Sequence, residues 1–495
     1  MLWALILMPL LAAAAAFFLR SDRLRRALLV TTAAAHAALV AAAWRSEPAP
    51  ILDGWLAVGP LERLFLAITS TLFLAASVYA VGYLRREARG ARKDLEEAFL
   101  FSNAPEATFT ACLLAFLGTM TLVIVSQHFG ILWVAIEATT LASAPLIFFH
   151  RHHRSLEATW KYLLICSVGI ALALLGNFFL AAALPAGTDG HAAMTVASLV
   201  QQGGTLNATW LRAAMILMLV GYGTKMGLAP LHTWLPDAHS EAPSVVSALL
   251  SGALLNCAFL GILRIHAVCV AAGQAEFSQD LLVLMGLASM AMAAVFILRQ
   301  ADYKRMLAYS SVEHMGILAL GVGLGGAAGF GALLHAVNHS LTKAMLFLVA
   351  GNILAVYRTK QAAHVRGVLS VLPASGMLWL AGFFAIVGSP PFGLFLSELK
   401  VLQGAVAAER WALAALYLGL LVTIFIGMAA IVLRMAHGRP EQTATAPALA
   451  VPRRESLSAV LPPMVLGAMV LVLGLYVPPQ LTETIEAALR ALGVN

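Results

Sequence analysis

Lys225 stands inside an apolar stretch that is broken by proline at positions 230 and 236, in GYGTKMGLAPLHTWLPDAHSEAP over residues 221–243. A lysine facing hydrocarbon is costly, and proline removes a backbone donor that no water replaces at membrane depth. Such a segment is stable where protein buries it or where it lines a hydrated cavity. The chemistry it suits is proton storage, because a buried charge exchanges its proton when a compensating partner changes.

Other ionisable residues fit the same chemistry. Glu137 lies near the middle of HFGILWVAIEATTLASAPLIFF, either as a structural acid or as a proton carrier paired with Lys225. His335, His339 and Lys343 recur at i, i+4 and i+8 in LLHAVNHSLTKAMLFLV, so they line one helix face over about 12 Å. Histidine titrates near neutrality, and such a ladder suits proton hopping, with structural hydrogen bonding as the alternative. Zinc binding by His335 and His339 lacks a third ligand nearby.

Glu313 and His314 in YKRMLAYSSVEHMGILAL point about 100° apart as helix neighbours, so one of them is expected to face a pathway. Ser310 and Ser311, a turn earlier, are placed to hold water. Glu398 and Lys400 in PPFGLFLSELKVL follow a second break, and Lys400 has the simpler account of snorkelling to the interface. Glu157 and Lys161 form an i,i+4 pair with glutamate first, which is favourable on a helix surface. For Lys161 a role in tuning Lys225 is the competing reading. His232, Asp237, His239 and Glu241 either cap helix ends or form a cytoplasmic mouth for protons.

The elements that position these groups must be membrane helices. Of 495 residues, 61% are hydrophobic and 11% charged, whereas soluble domains average about 25% charged. Cys112, Cys166, Cys257 and Cys269 sit in apolar stretches without CxxC spacing, which argues against iron–sulfur, zinc or disulfide roles. No GxxxxGK and no strand-borne GxGxxG is present, so redox chemistry is expected in a partner. The first basic residue is Arg20, after the apolar start, which favours a retained helix over a signal peptide.

On a ruler of about 20 apolar residues, fourteen spans are expected: 2–19, 27–43, 61–83, 107–126, 128–149, 158–181, 209–228, 243–265, 281–299, 303–323, 328–356, a broken 373–403, 411–434 and 459–476. Alternate loops carry the basic residues, among them Arg20, Arg23, Arg25 and Arg26, then Arg85, Arg86, Arg89, Arg92 and Lys93, then Arg151 and Arg154. Further along they are Arg299, Lys304 and Arg305, then Arg358, Lys360 and Arg366, then Arg434, Arg439, Arg453 and Arg454. The positive-inside rule then puts both termini on the outer face of the membrane. The carboxyl-terminal LTETIEAALRALG is amphipathic and is expected at the membrane interface or on a partner. The breaks at GLAPLHTWLP and GSPPFG are five helices apart, an odd number, which suggests two inverted repeats.

The motifs GYGTKMGLAPLHTWLPDAHSEAPSVVSALLSG, YSSVEHMG and HAVNHSLTKAMLFLVAGNI resemble those of the proton-translocating antiporter-like subunits of respiratory complex I, Mrp-type sodium/proton antiporters and membrane-bound hydrogenases. Within that family, LWVAIEATTLASAPLIFF and LLSGALLNCAFLGILR are most similar to hydrogenase-4 component F. The resemblance covers roughly residues 60 to 435. It implies an all-α polytopic membrane fold of about 14 transmembrane helices with two inverted five-helix repeats, each with a broken helix. Residues 1–106 would be an amino-terminal three-helix segment, 107–273 and 280–435 the repeats, and 436–495 a terminal helix and tail.

The resemblance also implies roles. Glu137 and Lys225 would be the paired acid and broken-helix lysine, and Lys161 the lysine of the next helix. His335, His339 and Lys343 would form a central axis leading to Glu398. Asn256 departs from the pattern, since several family members carry a lysine there, and an amide cannot hold a proton charge. The implied function is a non-redox, proton-translocating subunit that binds no cofactor itself. Its partners would be other membrane subunits and a peripheral electron-transfer module carrying iron–sulfur clusters and a nickel–iron or quinone site. A sodium/proton antiporter subunit and an ion-coupled subunit of an inorganic-carbon uptake complex are the alternatives.

Overall fold

The computed structural model describes residues 1–87, 90–93, 100–187, 194–439 and 455–493. Arg89, Arg453 and Arg454 lie outside the described residues, as do the side chains of Arg92 and Lys93. Helices form nearly the whole described chain, because at membrane depth every backbone donor must find its acceptor within the segment.

They run α1 Leu2–Phe18, α2 Asp22–Arg45, α3 Pro60–Arg86, α4 Glu106–Val125, α5 Phe129–Ile147, α6 His153–Ala182, α7 Ala208–Met226 and α8 Trp234–Glu241. There follow α9 Ser244–Ala271, α10 Ala275–Ile297, α11 Tyr303–Leu324, α12 Gly326–Tyr357, α13 Pro373–Ile386, α14 Gly393–Ala407, α15 Trp411–Ala436, α16 Leu457–Leu475 and α17 Pro479–Leu492. Among the described residues eleven helices are long and apolar enough to cross a membrane, and the protein is a multi-pass membrane protein. α1 and α13 are apolar but shorter, at 17 and 14 residues.

Breaks are present in both expected stretches, but Pro236 continues the chain inside the first turn of α8 and does not break it. α7 ends at Gly227, whose φ of +84° is the left-handed turn that glycine takes without steric cost, and α8 starts after it. The second break separates α13 from α14 over residues 387–392. Burial ranks the helices. The most apolar stretch of α9 is entirely buried and that of α11 89% buried, against 28% for α15 and α16. The two breaks therefore flank a core of α9, α11 and α12, and α2, α15 and α16 form the rim.

The all-α fold holds, with one short antiparallel hairpin among the described residues, β1 Ala91–Lys93 with β2 Leu100–Ser102, paired Ala91 to Ser102. One expectation needs correction. The amphipathic tail does not leave its own subunit: α17 buries Ile485, Ala488, Leu489 and Leu492 against α3, α9 and α12. This chain offered a nearer apolar surface than membrane or partner.

Candidate functional site

Lys225 is fully buried in the last turn of α7, where a cation also complements the helix dipole. Its ammonium donates to Thr140 Oγ1 at 2.8 Å and to the Tyr162 hydroxyl at 2.6 Å, and lies 4.4 Å from the Tyr162 ring centre. Tyr162 in turn shares a hydrogen bond with Ser143 Oγ at 2.6 Å.

Glu137 makes no ion pair with Lys225 among the described residues. Its carboxylate accepts from Ser167 Oγ at 2.8 Å and from Thr140 Oγ1 at 3.4 Å. Thr140 therefore links the two. Glu137 is only half-buried, between Val134 and Leu141, which are 54% and 63% exposed on the same face of α5. The fully buried acid–base pair is corrected to a buried lysine and a rim carboxylate joined by a hydroxyl.

For Lys161 the surface-pair reading holds and the tuning role does not, since it makes no contact with Lys225 among the described residues. The Lys161 side chain is 45% exposed and pairs with Glu157 at 2.7 Å and Asp237 at 2.9 Å. Asp237 also pairs with Arg305 on α11. Lys161 ties α6 to α8 at the rim, and the next residue, Tyr162, is the one that touches Lys225. The four polar residues around the first break do not converge either. His232 packs beside Phe296 and Tyr309, and His239 stacks on Phe347 at 4.8 Å. Glu241 meets Lys360 at 2.6 Å, apart from Asp237.

In the core, α9 contains a π turn over Leu250–Leu254, a device common at functional sites. Ser251 within it meets Ser311 of α11 at 2.8 Å. Asn256 Nδ2 donates to Gly252 O at 2.9 Å and to Ser340 Oγ of α12 at 2.8 Å, while its Oδ1 is buried without a partner among the described residues. The amide thus joins α9 to α12.

Lys343 is fully buried, and its ammonium donates to Leu307 O at 2.5 Å and to Ser310 Oγ. The histidines come together as a cluster of three. His314 lies between His335 and His339, with ring centres 5.0 and 4.9 Å away, and its Nδ1 is 2.9 Å from His335 Nε2. His335 Nδ1 continues to Ser397 Oγ of α14 at 2.9 Å. Both ring nitrogens of His339 are buried with no partner among the described residues.

Glu313 is buried too, with a carboxylate oxygen 4.0 Å from His314 Nε2. The expectation that one of the pair faces away is corrected: α11 is enclosed on nearly every side, so both reach the cluster. His314, His335 and Glu398 place one ligand atom each within 4.8 Å of one another, a group that leaves out His339 and draws on α11 and α14 as well as α12. Glu398 is buried, and a side chain at Gly388 would meet its carboxylate at 1.9 Å, so the second break is cut to fit it. Lys400 is exposed on the rim.

Sequence reasoning missed Thr140, Tyr162, Ser143, Ser340 and Ser397. Thr140 is three residues beyond Glu137 and so on its face, which was a usable signal. The serines gave none, since a serine hydroxyl in an apolar helix usually bonds its own backbone, and nothing in the sequence turned Tyr162 toward Lys225.

Residues 126–426 match the family described as NADH:quinone oxidoreductase/Mrp antiporter, transmembrane. The chain is 37% identical over 429 residues to a hydrogenase-4 component F homolog of Methylacidiphilum infernorum, covering 86% of each protein. It is 30% identical over 469 residues to NADH-quinone oxidoreductase subunit N of Desulforudis audaxviator, covering 91% of this chain and 89% of that one. Its fold matches a chain of the Mrp complex from Dietzia with a TM-score of 0.85 at 21% identity, over 99% and 97% of the two chains.

Proposed function

We propose, from the premise that the chain belongs to the NADH:quinone oxidoreductase/Mrp antiporter family, that it carries protons across the membrane along its buried polar axis. It is an antiporter-like membrane subunit of the kind found in complex I, group 4 hydrogenase and Mrp-type complexes, multi-subunit assemblies of the prokaryotic plasma membrane. The observation that carries the reading is shared by both halves. Lys225 and Lys343 are fully buried, yet each ammonium is held by neutral hydroxyl or carbonyl oxygens. Ammonium groups so held can lose and regain a proton without breaking a fixed ion pair.

Electron transfer in a hydrogenase- or quinone-linked partner module would shift charge near Glu137. Thr140 would pass that change to Lys225, which releases its proton inward past Asn256 and Ser340. Lys343, the cluster of His339, His314 and His335, and then Glu398 carry it on. Partner subunits would hold the iron–sulfur and nickel–iron or quinone groups. Taking α7 with α8 and α13 with α14 as broken crossings gives fourteen spans in two inverted repeats, 107–273 and 280–435, with both termini outside. Residues 1–106 and 436–495 flank them.

Lys225→Ala in the assembled complex tests this. Proton translocation into inverted vesicles should fall at least tenfold, by roughly the cost of losing a charged hydrogen bond. The reading fails if the variant inserts normally and both electron transfer and proton translocation continue unchanged. Sodium-dependent proton exchange without an electron donor would instead identify a gradient-driven antiporter subunit.

A further inference from the structure

The basic end of the bundle holds a cleft of about 660 Å³ that the proton path does not traverse. Several segments meet there: α3 ends at Arg86, α12 ends at Tyr357 just before Arg358, and α8 turns into α9. Arg86, Arg154, Lys304, Arg358 and Lys360 line it, against the carboxylates of Glu87 and Glu241. Both carboxylates are already engaged. Glu241 meets Lys360 at 2.6 Å and His152 at 3.6 Å, and Glu87 accepts from Asn103 Nδ2 at 2.8 Å.

Among the described residues, Arg86 and Arg358 meet no carboxylate in ion-pair contact. Lys304 is 1% exposed, and its ammonium rests on the carbonyls of Ser240 and Ala242 at 3.1 and 2.6 Å, with no carboxylate in ion-pair contact among the described residues. Arg86 donates one N–H to Gly82 O, and both Arg86 and Arg358 hold exposed guanidinium groups at the mouth. Cations gathered at a membrane edge attract an anion, and guanidinium forks fit phosphate oxygens.

The walls say which anion. Tyr79 lines the same cleft seven residues inward from Arg86, about 10 Å along the helix, and Leu354 and Ala355 face it from α12. A ligand filling it is phosphate-bearing at the mouth and hydrocarbon within. We propose that this cleft binds an anionic phospholipid, its phosphate held by Arg86 and Arg358 above the buried Lys304 and an acyl chain lying along Tyr79 and Leu354. Free phosphate shares the headgroup chemistry but leaves the apolar wall uncovered.

The test uses the complex containing the full chain, in nanodiscs of phosphatidylcholine alone or mixed with phosphatidylglycerol, with native mass spectrometry of lipid retained on this chain. The wild type should retain phosphatidylglycerol over phosphatidylcholine. Joint Arg86→Gln and Arg358→Gln should lower that retention roughly thirtyfold, as expected for two arginines near a charged surface. Joint Arg86→Lys and Arg358→Lys, which keeps the charge, should retain most of it, and Arg23→Gln with Arg45→Gln, elsewhere on the surface, all of it. Equal retention of the two lipids, equal retention by the double Gln variant, or displacement of the lipid by inorganic phosphate would each overturn the proposal.

Discussion

Thr140 stands between Glu137 and Lys225, its hydroxyl 2.8 Å from the ammonium and 3.4 Å from the carboxylate. A hydroxyl both donates and accepts, so it can pass a change at the half-buried acid to the buried base while keeping the two charges apart. Salt-bridge neutralisation would lock both groups, whereas a hydroxyl leaves each free to change.

Thr140→Val keeps the shape and removes the link. Proton translocation per electron transferred should fall about tenfold, the weight of one hydrogen bond to a charged group, while Thr140→Ser stays near wild type. Dye-quenching in inverted vesicles alongside the electron-transfer rate measures the ratio. Equal coupling in Val and Ser variants would remove Thr140 from the path.

Lys161 and Asp237 act as a pair at the rim. Asp237 also holds Arg305, so Asp237→Ala should cost more than Lys161→Ala, which should stay below about 1 kcal/mol, and the double variant should fall short of the sum of the two. A double-mutant cycle on thermal midpoint and coupling ratio checks this, and additive effects would show independent roles.

Gly388→Ala should reproduce the phenotype of Glu398→Gln. An added methyl there occupies the space of the Glu398 carboxylate, at a backbone φ of +64° that favours glycine. The expected result is loss of proton translocation with the complex still assembled. A Gly388→Ala variant with full activity would show that the carboxylate position is unimportant.

Arg264 supports the fold away from the proposed path. It is buried on α9 and donates to Glu62 at 3.1 Å and to the carbonyls of Val123 and Ile124 at 3.1 and 2.6 Å. Arg264→Met leaves Glu62 buried without its cation and should cost about 3–5 kcal/mol. Chain yield and thermal midpoint in detergent are the readouts, and joint Arg264→Met and Glu62→Met should recover much of the loss.

The helices were legible because an apolar run long enough to span has few other stable fates, and both breaks because glycine and proline cluster together in GLAP and GSPPFG. Lys225, Lys343, His335 and Glu398 stood out because buried charge is costly anywhere. What stayed hidden depends on rotation between helices. Periodicity gives each helix a face but not the direction it is turned, so it could not choose between the two readings of Lys161, which lies on the rim beside Asp237. Thr140 and Tyr162 were lost among ordinary hydroxyls, and the docking of α17 depended on a surface made by three distant segments.

The π turn at Leu250–Leu254 acts on everything that follows it in α9. One extra residue in a turn rotates the rest of the helix by about 100°. Asn256 meets Ser340 and Arg264 meets Glu62 only in the phase set after that insertion. The two halves of α9 are thus indexed separately, and deleting a single residue there would turn both polar groups away from their partners while leaving the helix apolar and long enough to span.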